Sequence, residues 1–180
     1  MRHVLSILSI ACVLTVATLG RAEPTRVPPG TMGTIPPLAV GSAPPELDTR
    51  RVFGTDEVTL ARLRGRVVVI DFWATWCGPC RAIMPELDRL SAQFHGQGLS
   101  VVGVAQDSEA EILTHLARSP ISYTIARDVG HTMRAYGVRA IPMLVVIDRR
   151  GNLARVFTGV APGDMHDLSS LVTTLLQQRP

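Results

Sequence analysis

Residues 66–80 read RVVVIDFWATWCGPC. The first nine are dense in β-branched and aromatic side chains without polar alternation, which predicts a central strand covered on both faces. Two of the three cysteines in the chain, Cys77 and Cys80, come directly after it. Beyond them Ile83, Met84, Leu87, Leu90 and Phe94 recur at helical spacing until HGQG stops the run. The Cys-x-x-Cys pair therefore falls where a buried strand hands over to a helix. Unpaired N–H groups and the macrodipole stabilise an anion there. Cys77 is thus expected to be a nucleophile, its thiol pKa lowered from about 8.5 toward neutrality. Cys80, one turn on, is expected to be less exposed and placed to attack a mixed disulfide formed at Cys77. Pro79 suits the first helical turn, where its missing N–H has no partner to lose. Two thiols so arranged exchange a disulfide with a partner through a transient covalent bond.

Two other uses of a Cys pair compete with this one. Half of a zinc site would need two further ligands at short spacing. His95, His115, His131 and His166 are isolated from one another, and Cys12 lies in a segment expected to be removed, so no metal site is expected. A purely structural disulfide explains neither the position of the pair nor the buried strand before it.

Outward from this stretch, strand and helix signals alternate. PELDTRRVFGTDEVTLARLRG predicts two short strands around a turn at Gly54, then a short helical or turn segment to Gly65. LSVVGVA is a second buried strand. DSEAEILTHLAR is a helix that Asp107 or Ser108 can cap, with an acidic first turn suited to the dipole. ISYTIARD holds a short strand and GHTMRAYGV a short helix. PMLVVID and LARVFTG form a hairpin around RRGN. The closing segment, APGDMHDLSSLVTTLLQQ, is an amphipathic helix with Leu168, Leu171, Val172, Leu175 and Leu176 inward. A βαβ half followed by a ββα half gives an α/β domain with a mixed central sheet and helices on both faces.

The N-terminus reads as a targeting segment. MRH is a positive n-region, VLSILSIACVLTVATL an apolar core, and GRA a small-residue end before Glu23. Residues 1–22 are expected to be a signal peptide, with an uncleaved anchor as the alternative; the apolar stretch is somewhat short of the ~20 residues that span a bilayer. Lipidation at Cys12 lacks the usual leucine three positions before it. Every option exports the domain to where disulfides form. Residues 23–45, with seven prolines and three glycines, predict an extended linker, a possible membrane tether, and the folded domain is expected from Glu46. All 18 basic residues are arginine, scattered without a nucleic-acid-binding stripe, so no nucleic-acid partner is expected. Removal of Arg2 and Arg21 would leave 16 basic against 15 acidic residues.

VVVIDFWATWCGPCRAIMPEL closely resembles the active-site segment of thioredoxins, and AIPMLVVID resembles their cis-proline segment. The signal, the Pro-rich leader, the N-terminal strand pair and the long 106–139 segment are similar to exported TlpA/ResA-type proteins. The resemblance implies a thioredoxin-like fold and a thiol–disulfide oxidoreductase, often one that reduces partner proteins during cytochrome or oxidase assembly. It implies that Asp71 is a buried carboxyl exchanging protons with Cys80. It further implies that a cis Ile141–Pro142 bond keeps the Ile141 backbone ready to pair with substrate, and that Pro85 kinks the helix. Trp76, Gly78 and Pro79 would border the substrate site, with Trp73 as its floor. Three positions depart from the pattern. LSVVGVA has no lysine near Asp71, Ile83 stands where some ResA-type chains carry glutamate, and Asp71 stands where many carry asparagine. With Gly78-Pro79, these imply a general thioredoxin-like reductant rather than a cytochrome-specific one.

The expected cofactor is none beyond the redox-active Cys77–Cys80 disulfide. No nucleotide, flavin or haem-attachment motif is present. The expected partners are protein dithiols and disulfides, with a membrane electron donor. A copper or oxidase-assembly factor using the same thiols is the alternative, though Met- or His-rich tracts are missing. A binding module with a vestigial Cys pair is the third reading.

Overall fold

The computed structural model describes residues 38–178 apart from Glu57 and Pro162. The expected signal segment 1–22 and most of the expected linker lie outside the described residues. Among the described residues, no helix is long and apolar enough to cross a membrane.

The elements run β1 (Thr49–Phe53), β2 (Val67–Trp73), α1 (Gly78–Phe94), β3 (Leu99–Ala105), α2 (Glu109–Arg118) and β4 (Thr124–Asp128). They continue with α3 (Thr132–Ala135), β5 (Met143–Ile147), β6 (Leu153–Thr158) and α4 (Asp164–Gln177). The six strands form one mixed sheet in the order β1-β4-β3-β2-β5-β6. β2 pairs parallel with β3 and antiparallel with β5, so the strand leading to Cys77 is central. All seven of its residues are buried, as its unbroken apolar run requires.

The side chains of β2 alternate between two cores. Val67, Val69 and Trp73 join Leu87 of α1, Ile112 of α2 and Leu168 of α4 on one face. Val68, Ile70 and Phe72 meet Leu47, Leu63 and Tyr136 on the other. There the Phe72 and Tyr136 rings lie tilted at 53°, with centroids 5.2 Å apart. Asp71 shares the first face by alternation and lies beneath α1. In α1 the buried stripe is Cys80, Met84, Leu87, Leu90 and Phe94, with Ile83 only partly covered. In α4, Leu168, Val172 and Leu175 are buried while Leu171 and Leu176 pack at the margin.

Two local expectations are corrected. Of the two strands expected around Gly54, only β1 forms among the described residues, and it pairs with β4. The chain after Gly54 is held to the start of β4 by a side-chain bond, Asp56 N–H to Thr124 Oγ1 at 2.9 Å, so it has no neighbouring strand to join. Of the two expected cap candidates it is Ser108 that caps α2, in a reciprocal box with Glu111. The folded body also begins before Glu46. Gly41 and Ser42 exchange backbone bonds of 2.8 Å with Leu153 on β6, and the Tyr136 hydroxyl donates to the Pro45 carbonyl at 2.6 Å. Individual hydrogen bonds thus claim the last residues of a segment whose proline content predicts a linker.

Gly54 has φ +90°, and a Cβ added there would lie 2.6 Å from the Thr124 Cα. Backbone cannot yield as a flexible side-chain tip can. Gly54→Ala is therefore expected to destabilise the domain by about 2 kcal/mol or more in urea denaturation.

Candidate active site

β2 ends in Trp73, and the short loop Ala74–Trp76 turns the chain into α1. Cys77 is the N-cap residue of that helix, with extended backbone, and its Sγ accepts from the Cys80 N–H at 3.2 Å. The first turn of α1 holds no acidic side chain to oppose an anion, and Pro79 sits in it as its ring geometry favours. Cys77 and Cys80 are joined in a disulfide, with Cα atoms 5.3 Å apart. Cys77 is 4% exposed and Cys80 fully buried, which orders the two as the helix spacing predicts. Attack from outside thus reaches Cys77 first.

The neighbours of the pair come from distant parts of the chain. The Ile141–Pro142 bond is cis, directly before β5. Trp76, 75% exposed beside Cys77, and Ile141 line one groove of about 540 Å³ together with Met133, Val138 and Arg139. Gly78 and Pro79 are exposed on the first turn of α1, outside this groove. Trp73 is wholly buried, at the base of the groove, and its ring packs on that of His115 at 5.4 Å. Pro85 lies inside α1 with an exposed ring, where its role is confined to the backbone.

Asp71 is fully buried, and burial pushes its pKa from 3.8 up to about 7. The Tyr123 hydroxyl, also buried, opposes that rise. Neither carboxyl oxygen nor the hydroxyl completes a hydrogen bond among the described residues, so the two are close neighbours rather than a formed pair. Burial and the Asp71 charge together raise the Tyr123 pKa well above 10, which leaves the phenol neutral and able only to donate toward a carboxylate. A carboxyl with this pKa passes between acid and base near neutral pH, as proton exchange with a thiol requires.

Three contributors are absent from the sequence reading. Tyr123 supplies the polar neighbour that the missing lysine leaves unassigned, and it reaches Asp71 only because β4 aligns beside β3. Thr75 donates from Oγ1 to Asp107 at 2.5 Å and from N–H at 3.3 Å, tying the loop before Cys77 to the end of β3. His115 abuts Trp73 from α2, and burial lowers its pKa. None of these carries a local signal, because each depends on a partner more than thirty residues away.

A disulfide-bonded Cys pair at the start of the first helix after a central strand, with a cis-proline directly before β5, marks a protein of thioredoxin-like fold. The Redoxin family model matches residues 40–175, and the chain belongs to that family. Among solved structures, a Chlorobium tepidum protein provisionally named thiol:disulfide interchange protein DsbE is 34% identical. The likeness covers 77% of this chain and 99% of that one, with a TM-score of 0.69. The thiol-disulfide oxidoreductase ResA of Halalkalibacterium halodurans is 31% identical over 106 residues, or 58% of this chain and 60% of the relative. The ResA of Bacillus subtilis is 29% identical over 119 residues, or 64% and 66%. The matches thus span about two thirds or less of those ResA proteins.

The raised Asp71 pKa has a stability consequence of definite sign. Between about pH 4 and pH 7 the folded state keeps a proton that the unfolded state has lost, so this carboxyl costs stability as pH rises through that interval. Above pH 7 the cost is constant, about 4 kcal/mol. Asp71→Asn is expected to stabilise the protein at pH 8 relative to wild type, with most of the gain gone at pH 4, by denaturant unfolding at both values. Tyr123→Phe removes the group that lowers the Asp71 pKa, and carboxyl NMR titration is expected to show a higher midpoint.

Proposed function

We propose that this protein is an exported thiol–disulfide oxidoreductase that reduces disulfides in partner proteins. The observation that carries the reading is the Cys77–Cys80 disulfide at the α1 N-terminus, with the outer sulfur next to the exposed Trp76. The names of the relatives, thiol-disulfide oxidoreductase and thiol:disulfide interchange protein, support the same chemistry.

In the reduced protein the Cys77 thiolate attacks a substrate disulfide. One S–S bond forms between Cys77 and the substrate, the substrate's own S–S bond breaks, and a substrate thiolate leaves. Asp71 takes the Cys80 proton, and the Cys80 thiolate then attacks the Cys77 sulfur. The second substrate thiolate departs, and the protein is left with the Cys77–Cys80 disulfide. Two electrons have passed to the substrate, and a dithiol donor must return them. Trp76, Ile141 and Pro142 border the place where the substrate chain lies, with its backbone along Ile141, and Gly78 and Pro79 form the rim at the thiols. The dithiol itself carries the electrons, without a further cofactor.

Residues 1–22 support export as a signal or an anchor, and the electron donor is then a membrane protein with an outward-facing dithiol. The Gly78-Pro79 dipeptide supports a reducing role. On the scale where thioredoxin lies near about −270 mV and the oxidant DsbA near about −120 mV, a potential at or below about −250 mV is expected. Equilibration of the full chain in a thiol redox buffer, with alkylation to count free thiols, measures it. A value above about −180 mV would mean an oxidase or isomerase instead.

Cys80→Ser removes the resolving thiol. This variant is expected to accumulate mixed disulfides through Cys77 in cells, visible as reductant-sensitive high-mass bands, while Cys77→Ser accumulates none. Absence of any such species in the Cys80→Ser strain would remove the protein-substrate reading.

A further inference from the structure

Trp76 is a ridge with a groove on each side. One is the Ile141 groove already described. The other, about 640 Å³, runs between α1 and α2 and is lined by Trp76, Arg81, Glu111, Thr114, His115 and Arg118.

The polar groups of this second groove divide by chemistry. Its carboxylate is already engaged: Glu111 accepts from the Ser108 N–H at 2.8 Å and from its hydroxyl at 2.6 Å, closing the α2 cap. At the adjoining edge, which Arg81 also borders, Asp88 accepts from the Ser122 N–H at 2.6 Å and its hydroxyl at 2.7 Å. The arginines are not engaged. Arg81 and Arg118 are exposed, and among the described residues neither side chain makes a hydrogen bond or an ion pair. Both arginines line this one groove, with His115 also in its wall. The groove therefore offers two planar, multi-donor cations with no acceptor of their own, beside the residue that precedes Cys77. Such a pair matches carboxylates.

From this arrangement we infer that the α1–α2 groove binds an acidic segment of the substrate protein, with Arg81 and Arg118 pairing Asp or Glu side chains near its disulfide. The inference deepens the oxidoreductase reading and rests on it for the identity of the occupant. Trp76 supplies apolar contact at the shared ridge while the reacting disulfide meets Cys77. Exposed ion pairs are individually weak and screened by salt, so the groove acts on substrate choice and encounter rate rather than on the chemical step.

The test uses the full chain and two short peptides that differ only in flanking residues, one Asp/Glu-rich and one Lys-rich. With serine in place of the peptide cysteines, binding is read from tryptophan fluorescence of the oxidised protein. The acidic peptide is expected to bind about three- to tenfold more tightly at low salt. The preference is expected to shrink as salt is added and to fall to near one in the Arg81→Gln/Arg118→Gln double variant. Equal binding of the two peptides, or a preference that survives in the double variant, would overturn the inference. The disulfide forms of the same peptides, given to the reduced protein, are expected to show the same ratio in their rates. Taking the ratio within each variant cancels any change in thiol reactivity. Charge-selective binding without disulfide reduction would sink the oxidoreductase reading and leave the groove standing. Reduction of both peptides at one rate, with equal binding, would do the reverse.

Discussion

The structure depends on burying both faces of β2 while its far end delivers a helix N-terminus. Val67 to Trp73 lie inside two cores at once, and that burial fixes the direction in which the chain emerges at Ala74. α1 packs back through Met84, Leu87 and Leu90, so its first turn lies over the end of the strand. Cys77 then caps a helix whose other end is held by Phe94. A strand with one solvated face would leave the first turn free to shift, and the thiol and carboxyl would lose their relation.

The same burial creates the chemistry. Asp71 stands on the face of β2 that α1 covers, and desolvation alone carries its pKa into the neutral range. The domain thus buries an acid where an apolar residue would be more stable. Tyr123 keeps the carboxyl from rising further and, being neutral, adds no buried charge. The cysteines, by contrast, stand on the helix side, where Cys77 caps a first turn without acidic residues.

Much of this was legible in the residues themselves. The unbroken RVVVIDFWA run led to a central strand, the 83–94 periodicity to the helix after it, and the Cys spacing to the order of the two thiols. Local patterns carry that information because burial on both faces and helical amphipathicity are written in adjacent residues. The N-terminal region was less legible. The segment after Gly54 looks strand-forming, but strand identity needs a pairing partner, and β4 was already taken on that side by β1. Residues 41–45 look like linker because proline excludes regular structure, yet the Gly41 and Ser42 backbone and the Pro45 carbonyl still take hydrogen bonds with the folded body.

The sequence by itself determined the fold class, the redox pair, its polarity and the presence of an acid in the central strand. The pair and the acid follow from side chains within one helical turn or one strand, where spacing sets geometry, and the fold class follows from the order of such elements along the chain. Only the tertiary structure decided what surrounds them. It set Tyr123 against Asp71, tied Thr75 to Asp107, packed the His115 ring at a tilt on Trp73 and left Arg81 and Arg118 lining one groove. Those contacts join residues from different elements. They exist because the β2–β3–β4 parallel order brings α1 and α2 side by side over the same face of the sheet, which no local pattern encodes.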